Sequence, residues 1–156
     1  MNLPVLTIAS GNQKKVSEIS EMLDVLSLKV EKQPEYLNVE ETGETYFENA
    51  LLKAKAASLE TKTWALADDS GLEVDVLDGR PGIYSARYAK TNSEKIKKLI
   101  NELSDSPYRS ARFISWMVLC DPSGNLRKDT KGISWGENLK KPKKKKEKWN
   151  NEKMKK

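Results

Sequence analysis

The apolar positions of this chain fall into short blocks of two alternating kinds. "LPVLTIAS", residues 3–10, is a brief apolar run that stops at Gly11-Asn12, as a buried strand does where it enters a loop. In "KKVSEISEMLDVL" the residues Val16, Ile19, Met22, Leu23 and Leu26 recur at spacings of three and four, which predicts a helix with one buried stripe. "LKVEKQ" predicts a second strand. "EETGETYFENALLKAKAASLE" predicts a long helix starting near Thr45, with Phe47, Ala50, Leu51, Ala54 and Ala57 on one side and Asn49, Leu52, Lys53 and Ala56 on the other. Because that second side also carries small apolar residues, Asn49 and Lys53 are expected to face a cleft rather than open water.

"WALAD" predicts the next strand and "GLEVDVL" another, divided by a Ser-Gly turn and followed by a "DGRPG" loop. "NSEKIKKLINELSD" predicts an amphipathic helix with Ile96, Leu99, Ile100 and Leu103 inward. "RSARFISWMVLC", "DPSG" and "NLRKDTKGISW" predict a strand, a tight turn and a returning strand. Alternating strands and helices that end in a hairpin imply an α/β domain with a mixed sheet.

At 156 residues the chain has the size of one domain. Its apolar blocks are too short to span a bilayer, and "LPVLTIAS" has neither a basic leader nor a cleavage site, so a cytoplasmic protein is the expectation. The single cysteine, Cys120, lies in an apolar strand and is expected to be a buried thiol. With no histidine present, Ser-His-Asp and Cys-His catalysis are excluded, leaving carboxylates, lysines, hydroxyls and a hard metal ion for any chemistry.

The net charge of +5 is unevenly distributed: residues 138–156 hold ten of the 28 basic groups and two of the 23 acidic ones. Residues 1–137 are therefore mildly acidic, so nucleic acid is not the expected partner of the domain. The segment "NLKKPKKKKEKWNNEKMKK" has no apolar periodicity and is expected to be disordered. Three readings of it stay open: a solvated basic tail, a polyanion-binding patch, and the product of an A-rich coding stretch read in a shifted frame.

In open α/β sheets ligands bind beyond the carboxyl ends of strands. "SGNQKK", Ser10 to Lys15, follows the first strand and opens the first helix, as a triphosphate cradle or an ordinary capped turn would. Asp68 and Asp69 repel each other unless a cation or proton intervenes, and carboxylate oxygens are the ligands Mg²⁺ takes alongside phosphates. Neighbours on an extended chain point to opposite faces, so Asp69 is assigned to the ligand and Asp68 to a structural role. Glu40 or Glu41 could complete a metal site; a turn without metal is the plainer reading of "DDSG".

"TIASGNQKKVSEISEML", "EETGETYFENALLKAKAAS" and "ADDSGLEVDVLDGRPGIYSARYA" together resemble the three successive motifs of the inosine triphosphate pyrophosphatase family, over roughly residues 4–136. The resemblance implies an elongated α/β fold with a central mixed sheet flanked by helices, a homodimer, and Mg²⁺-dependent hydrolysis of dITP, ITP and XTP to monophosphate and pyrophosphate. It implies a substrate loop of Ser10, Gly11, Asn12, Gln13, Lys14 and Lys15, with Lys53 on phosphate and Ser70 on substrate. Glu40 and Asp69 would hold Mg²⁺, Asp69 would also accept the proton of the attacking water, and Arg87 matches a family position without an assigned role. Members of that family continue beyond the hairpin with a Phe-Gly-Tyr-Asp-Pro motif, a lysine and a Ser/Thr-His-Arg motif that grip the base. None of these occurs here, as a frameshift or truncation would produce. An inactive remnant that binds nucleotide without turnover, and a basic-tail protein associated with nucleic acid, are the alternatives.

Overall fold

The computed structural model describes residues 3–140. Five strands form one mixed sheet in the order β2-β1-β3-β4-β5. They are β1 (Val5–Ile8), β2 (Lys29–Lys32), β3 (Trp64–Val74), β4 (Ser110–Cys120) and β5 (Leu126–Glu137), and the helices are α1 (Gln13–Met22), α2 (Tyr46–Thr61) and α3 (Asn92–Leu103). Strand β1 is parallel to β2, with Leu6 opposite Val30, and parallel to β3, with Leu6 opposite Trp64. The expected alternation of strands and helices ending in a hairpin is therefore what forms.

Two compact units divide the chain, one of residues up to Asp69 with Trp116–Lys131, the other of Ser70–Ser115 with the residues from Gly132 on. In the first, α2 lays Ala50, Ala54 and Ala57 against Ala65 and Ala67 of β3, and Val118 and Cys120 of β4 complete that cluster. Alanines at the seam allow close approach of helix and sheet, and Leu37, Phe47, Leu51 and Trp116 pack around them. Val16 and Ile19 of α1 pack with Leu6 and Ile8 in a second cluster, joined by Trp64 and Leu66. Cys120 is a buried free thiol, and burial pushes its pKa up.

In the second unit Val74, Leu77, Leu103 and Ala111 form the core. Its buried Arg109 donates to the carbonyls of Ser104, Ser106, Asn138 and Leu139 at 3.1–3.3 Å, so a charged side chain is satisfied by backbone alone. Among the described residues no helix is long and apolar enough to cross a membrane. Residues 141–156, most of the lysine-rich segment, lie outside the described residues.

Several expectations are corrected. Strand β3 does not turn at Ser70-Gly71 but runs through it, since inward positions continue as Ala65, Ala67, Asp69 and Gly71. Helix α1 stops at Met22, leaving Met22 69% and Leu26 51% exposed rather than on the buried stripe. On α3, Leu103 is buried and Leu99 packs against the core, while Ile96 is exposed. Leu52 is exposed too, because it lies at the margin of the α2 face that carries Asn49 and Lys53.

Candidate functional site

Strand β3 places the two aspartates by its pleat. Its odd positions, Ala65 and Ala67, pack on α2, whereas its even positions, Trp64 and Leu66, pack in the cluster of α1. Continuing that alternation sends Asp69 toward α2 and Asp68 toward α1. Each meets a lysine there: Lys15 Nζ lies 3.2 Å from Asp68 Oδ1, and Lys53 Nζ lies 4.0 Å from Asp69 Oδ1.

Lys53 also donates to the Asp68 carbonyl at 2.6 Å and pairs with Glu41 Oε1 at 3.4 Å. One ammonium therefore ties the strand to the acidic segment before α2. Asp69 is only 7% exposed, and its Oδ2 is buried without a hydrogen-bond partner among the described residues. Burial raises its pKa to about 6, against the opposing pull of Lys53, with the charge of Glu41 adding to the rise.

Side chains cap the start of helix α2. Thr45 Oγ1 accepts from the Glu48 N–H at 3.1 Å, and Glu48 Oε2 accepts from the Glu44 N–H at 2.8 Å. Asn49 is completely buried, and its Oδ1 accepts from the Gly43 N–H at 2.7 Å.

The loop before α1 is closed on itself. Asn12 Oδ1 accepts from the N–H groups of Lys14 and Lys15, and the Asn12 N–H donates to Ser10 Oγ. Those three amides are engaged within the loop, so the exposed residues Gly11, Asn12, Gln13 and Lys14 offer their side chains and remaining backbone to an incoming anion.

The structure thus brings together Lys15, Asp68, Lys53, Asp69 and Glu41. Glu41, not Glu40, is the acidic residue beside Lys53; Glu40 is exposed. Ser70 follows Asp69 in β3 as the first residue of the second unit and is half-buried. Arg87, in that same unit, is exposed and lies 5.6 Å from the centre of the Tyr84 ring. Asn49, expected at a cleft but assigned no function from sequence, is signalled by its four-residue spacing from Lys53 and by its place in the first turn after the Thr45 cap.

Among the described residues no cluster of three or more carboxylate, thiol or imidazole groups comes together. The donors present are the hard carboxylates of Glu41 and Asp69, one with an unpartnered buried oxygen. That set fits Mg²⁺, which takes one or two carboxylates and completes its shell with water and phosphate oxygens.

The α/β sheet thus carries a desolvated carboxylate, two lysines and a helix-opening loop, a combination whose charges and backbone amides suit an anion. The chain belongs to the Ham1 family, whose model matches residues 6–150. A dITP/XTP pyrophosphatase of Synechococcus sp. (strain CC9311) is 49% identical over 132 residues, 85% of this chain and 64% of that relative. One from Synechocystis sp. (strain ATCC 27184 / PCC 6803 / Kazusa) is 44% identical over 135 residues, 86% of this chain and 70% of the relative. The chain thus spans about two thirds of the length of these relatives. A HAM1 protein from Coxiella burnetii shares the fold with a TM-score of 0.82 at 35% identity, over 93% of this chain and 78% of that one. The Staphylococcus aureus Ham1 protein matches with a TM-score of 0.79 at 36% identity, over 96% of this chain and 79% of that one. The resemblance read from the three motifs is borne out.

Proposed function

We propose that this chain hydrolyses nonstandard purine nucleoside triphosphates, dITP, ITP and XTP, to the monophosphate and pyrophosphate in a Mg²⁺-dependent reaction. The observation that supports this reading best is the Asp69 carboxyl. It is buried, its pKa is raised to about 6, one oxygen is unpartnered, and Lys53 and Glu41 flank it. A group with that pKa is ionised at neutral pH and basic enough to take a proton from water. Relatives that match most of this chain are dITP/XTP pyrophosphatases.

In this reading a water attacks the α-phosphorus and the bond from that phosphorus to the bridging oxygen breaks. The Asp69 carboxylate accepts the water's proton, and pyrophosphate leaves. Lys53 holds phosphate oxygens, and the loop Ser10, Gly11, Asn12, Gln13, Lys14 and Lys15 cradles the remainder of the substrate. Glu41 and Asp69 would hold Mg²⁺, with Glu40 the ligand that the motif match suggests. The ion, when bound, neutralises charge on the phosphate oxygens. A cytoplasmic location and a homodimer belong to the same proposal.

Pyrophosphate release from XTP, ITP, dITP and GTP, with and without Mg²⁺, tests the reading in this chain and in Asp69→Asn. Release from the first three that requires Mg²⁺ and Asp69 is the expected result. Binding of nucleotide without any release would sink the catalytic reading and leave a nucleotide-binding protein.

A further inference from the structure

We propose that Asn49 is a positioning residue that uses both ends of its amide, Oδ1 to fix the segment bearing Glu41 and Nδ2 to orient Asp69 during turnover. This rests on the catalytic reading of Asp69 given above.

The oxygen end is already engaged. Gly43 donates to Asn49 Oδ1 at 2.7 Å, while the neighbouring Glu44 N–H is held by Glu48. Two successive amides of the segment that follows Glu41 are therefore bound to the first turns of α2. The fit depends on glycine. A Cβ at Gly43 would lie 2.8 Å from Asn49 Oδ1 and 2.7 Å from Glu48 Cβ, closer than real carbon contacts come. No other residue allows the backbone to approach the helix so nearly.

The nitrogen end is unspent. Asn49 is fully buried, and its Nδ2 has no hydrogen-bond partner among the described residues. Asp69 Oδ2 is in the same condition. A buried donor and a buried acceptor left unmatched are each costly. Lys53, one turn along α2 from Asn49, lies 4.0 Å from Asp69 Oδ1, which puts the buried Asn49 amide on the side of the helix that faces this carboxyl. In the proposed arrangement Nδ2 donates to Oδ2, which satisfies both and leaves Asp69 Oδ1 directed at water or ion. Asn49 and Lys53 lie four residues apart, on one face of α2, so the helix presents a neutral donor and a cation to the same aspartate.

The test compares the full chain with Asn49→Ala and Asn49→Asp, reading Gly43 amide exchange by NMR together with kcat and KM for ITP. Alanine removes both ends. It should speed Gly43 exchange about tenfold or more relative to the Ala54 amide in mid-helix, and lower kcat about tenfold with KM little changed. Aspartate keeps the acceptor but removes the donor. It should preserve Gly43 protection and still lower kcat, a separation that a purely structural role does not produce. Unchanged Gly43 exchange in Asn49→Ala, or full kcat in Asn49→Asp, overturns the proposal. If the alanine variant fails to fold, the nearly isosteric aspartate variant decides by its kcat. If the unaltered chain releases no pyrophosphate, the catalytic reading fails separately, and Gly43 exchange alone judges the clamp.

Discussion

Asp68 and Asp69 are adjacent in β3 yet serve opposite faces of the sheet, Asp68 meeting Lys15 of α1 and Asp69 meeting Lys53 of α2. The pleat resolves the repulsion that neighbouring carboxylates suffer on one face, because each receives its own cation from the helix covering its side. The arrangement is asymmetric. Asp68 is held at 3.2 Å, whereas Asp69 keeps its lysine at 4.0 Å and one oxygen without a partner. The loosely held carboxylate is the one the proposed reaction uses.

Lys53 carries the first prediction. Replacing it with Met keeps most of the buried stem but removes the cation that draws the Asp69 pKa down. The acid limb of the kcat/KM profile, expected near pH 6 at low Mg²⁺, should then move to higher pH. Turnover should fall about 10²-fold, the scale on which one charged stabiliser of a transition state acts. A profile with its limb unmoved would show that Lys53 does not face Asp69 in solution.

Asp69→Asn should separate stability from activity. The folded pKa of about 6 lies above the ordinary 3.8, so the folded chain binds this proton more tightly than the unfolded one. Below about pH 4 both states carry the proton and the group contributes no difference. As pH rises through 4 to 6 the unfolded state gains by ionising first, and stability falls by on the order of 3 kcal/mol. The amide cannot ionise. Its melting temperature should match the parent's near pH 4 and exceed it above pH 7, while pyrophosphate release is lost. Equal melting temperatures at pH 7.5 would mean that the carboxylate is not desolvated.

Lys15 and Asp68 form a partly exposed pair, with side chains 33% and 14% accessible. A double-mutant cycle of Lys15→Ala and Asp68→Asn should therefore give a coupling of only about 0.5–1 kcal/mol to stability. Lys15 has a second role in the proposed site as part of the phosphate loop. Its single variant should raise KM for nucleotide more than Asp68→Asn does, and equal KM values would remove Lys15 from the site.

What could be read beforehand followed from burial on two sides. Val16, Ile19, Ala50, Ala54 and Ala57 behave as their spacing demands because each helix packs one stripe on a sheet that is covered there. Met22 and Leu26 escaped that rule because α1 ends at Met22, and a periodic pattern cannot see its own terminus. Ser70-Gly71 looked like a turn on residue type alone. Gly71 is instead a buried strand position, and the positive-φ glycines among the described residues are 79, 82 and 124. The choice between Glu40 and Glu41 was not legible, since adjacent loop residues differ in direction only once the Gly43 approach to α2 fixes the segment. On β5 eight consecutive positions from Leu126 are exposed, so no alternation marked an inner face, and the hairpin was legible from its turn residues.

That hairpin turn supplies a prediction independent of catalysis. Asp121 Oδ1 accepts from the N–H groups of Ser123 and Asn125, both at 3.0 Å, and Gly124 N–H donates to the Asp121 carbonyl at 2.9 Å. Closing the loop this way places Gly124 at φ +82°, in the left-handed region where a Cβ crowds the following carbonyl. A Cβ there would also lie 2.9 Å from Leu59 Cδ2 of α2. Leu59 is half-exposed, so its methyl can swing aside, and the backbone is the larger part of the cost. Gly124→Ala should lose about 1–2 kcal/mol, seen as a lower urea midpoint with an unchanged slope. Gly124→Asn should lose less, because asparagine tolerates this conformation better. Neither change touches Lys53, Asp69 or the loop before α1, so kcat and KM should stay at the parent values wherever the chain remains folded. A drop in kcat for Gly124→Ala without a shift in the midpoint would mean that the turn and the proposed site are linked through α2, and the fold described here would need a second conformation.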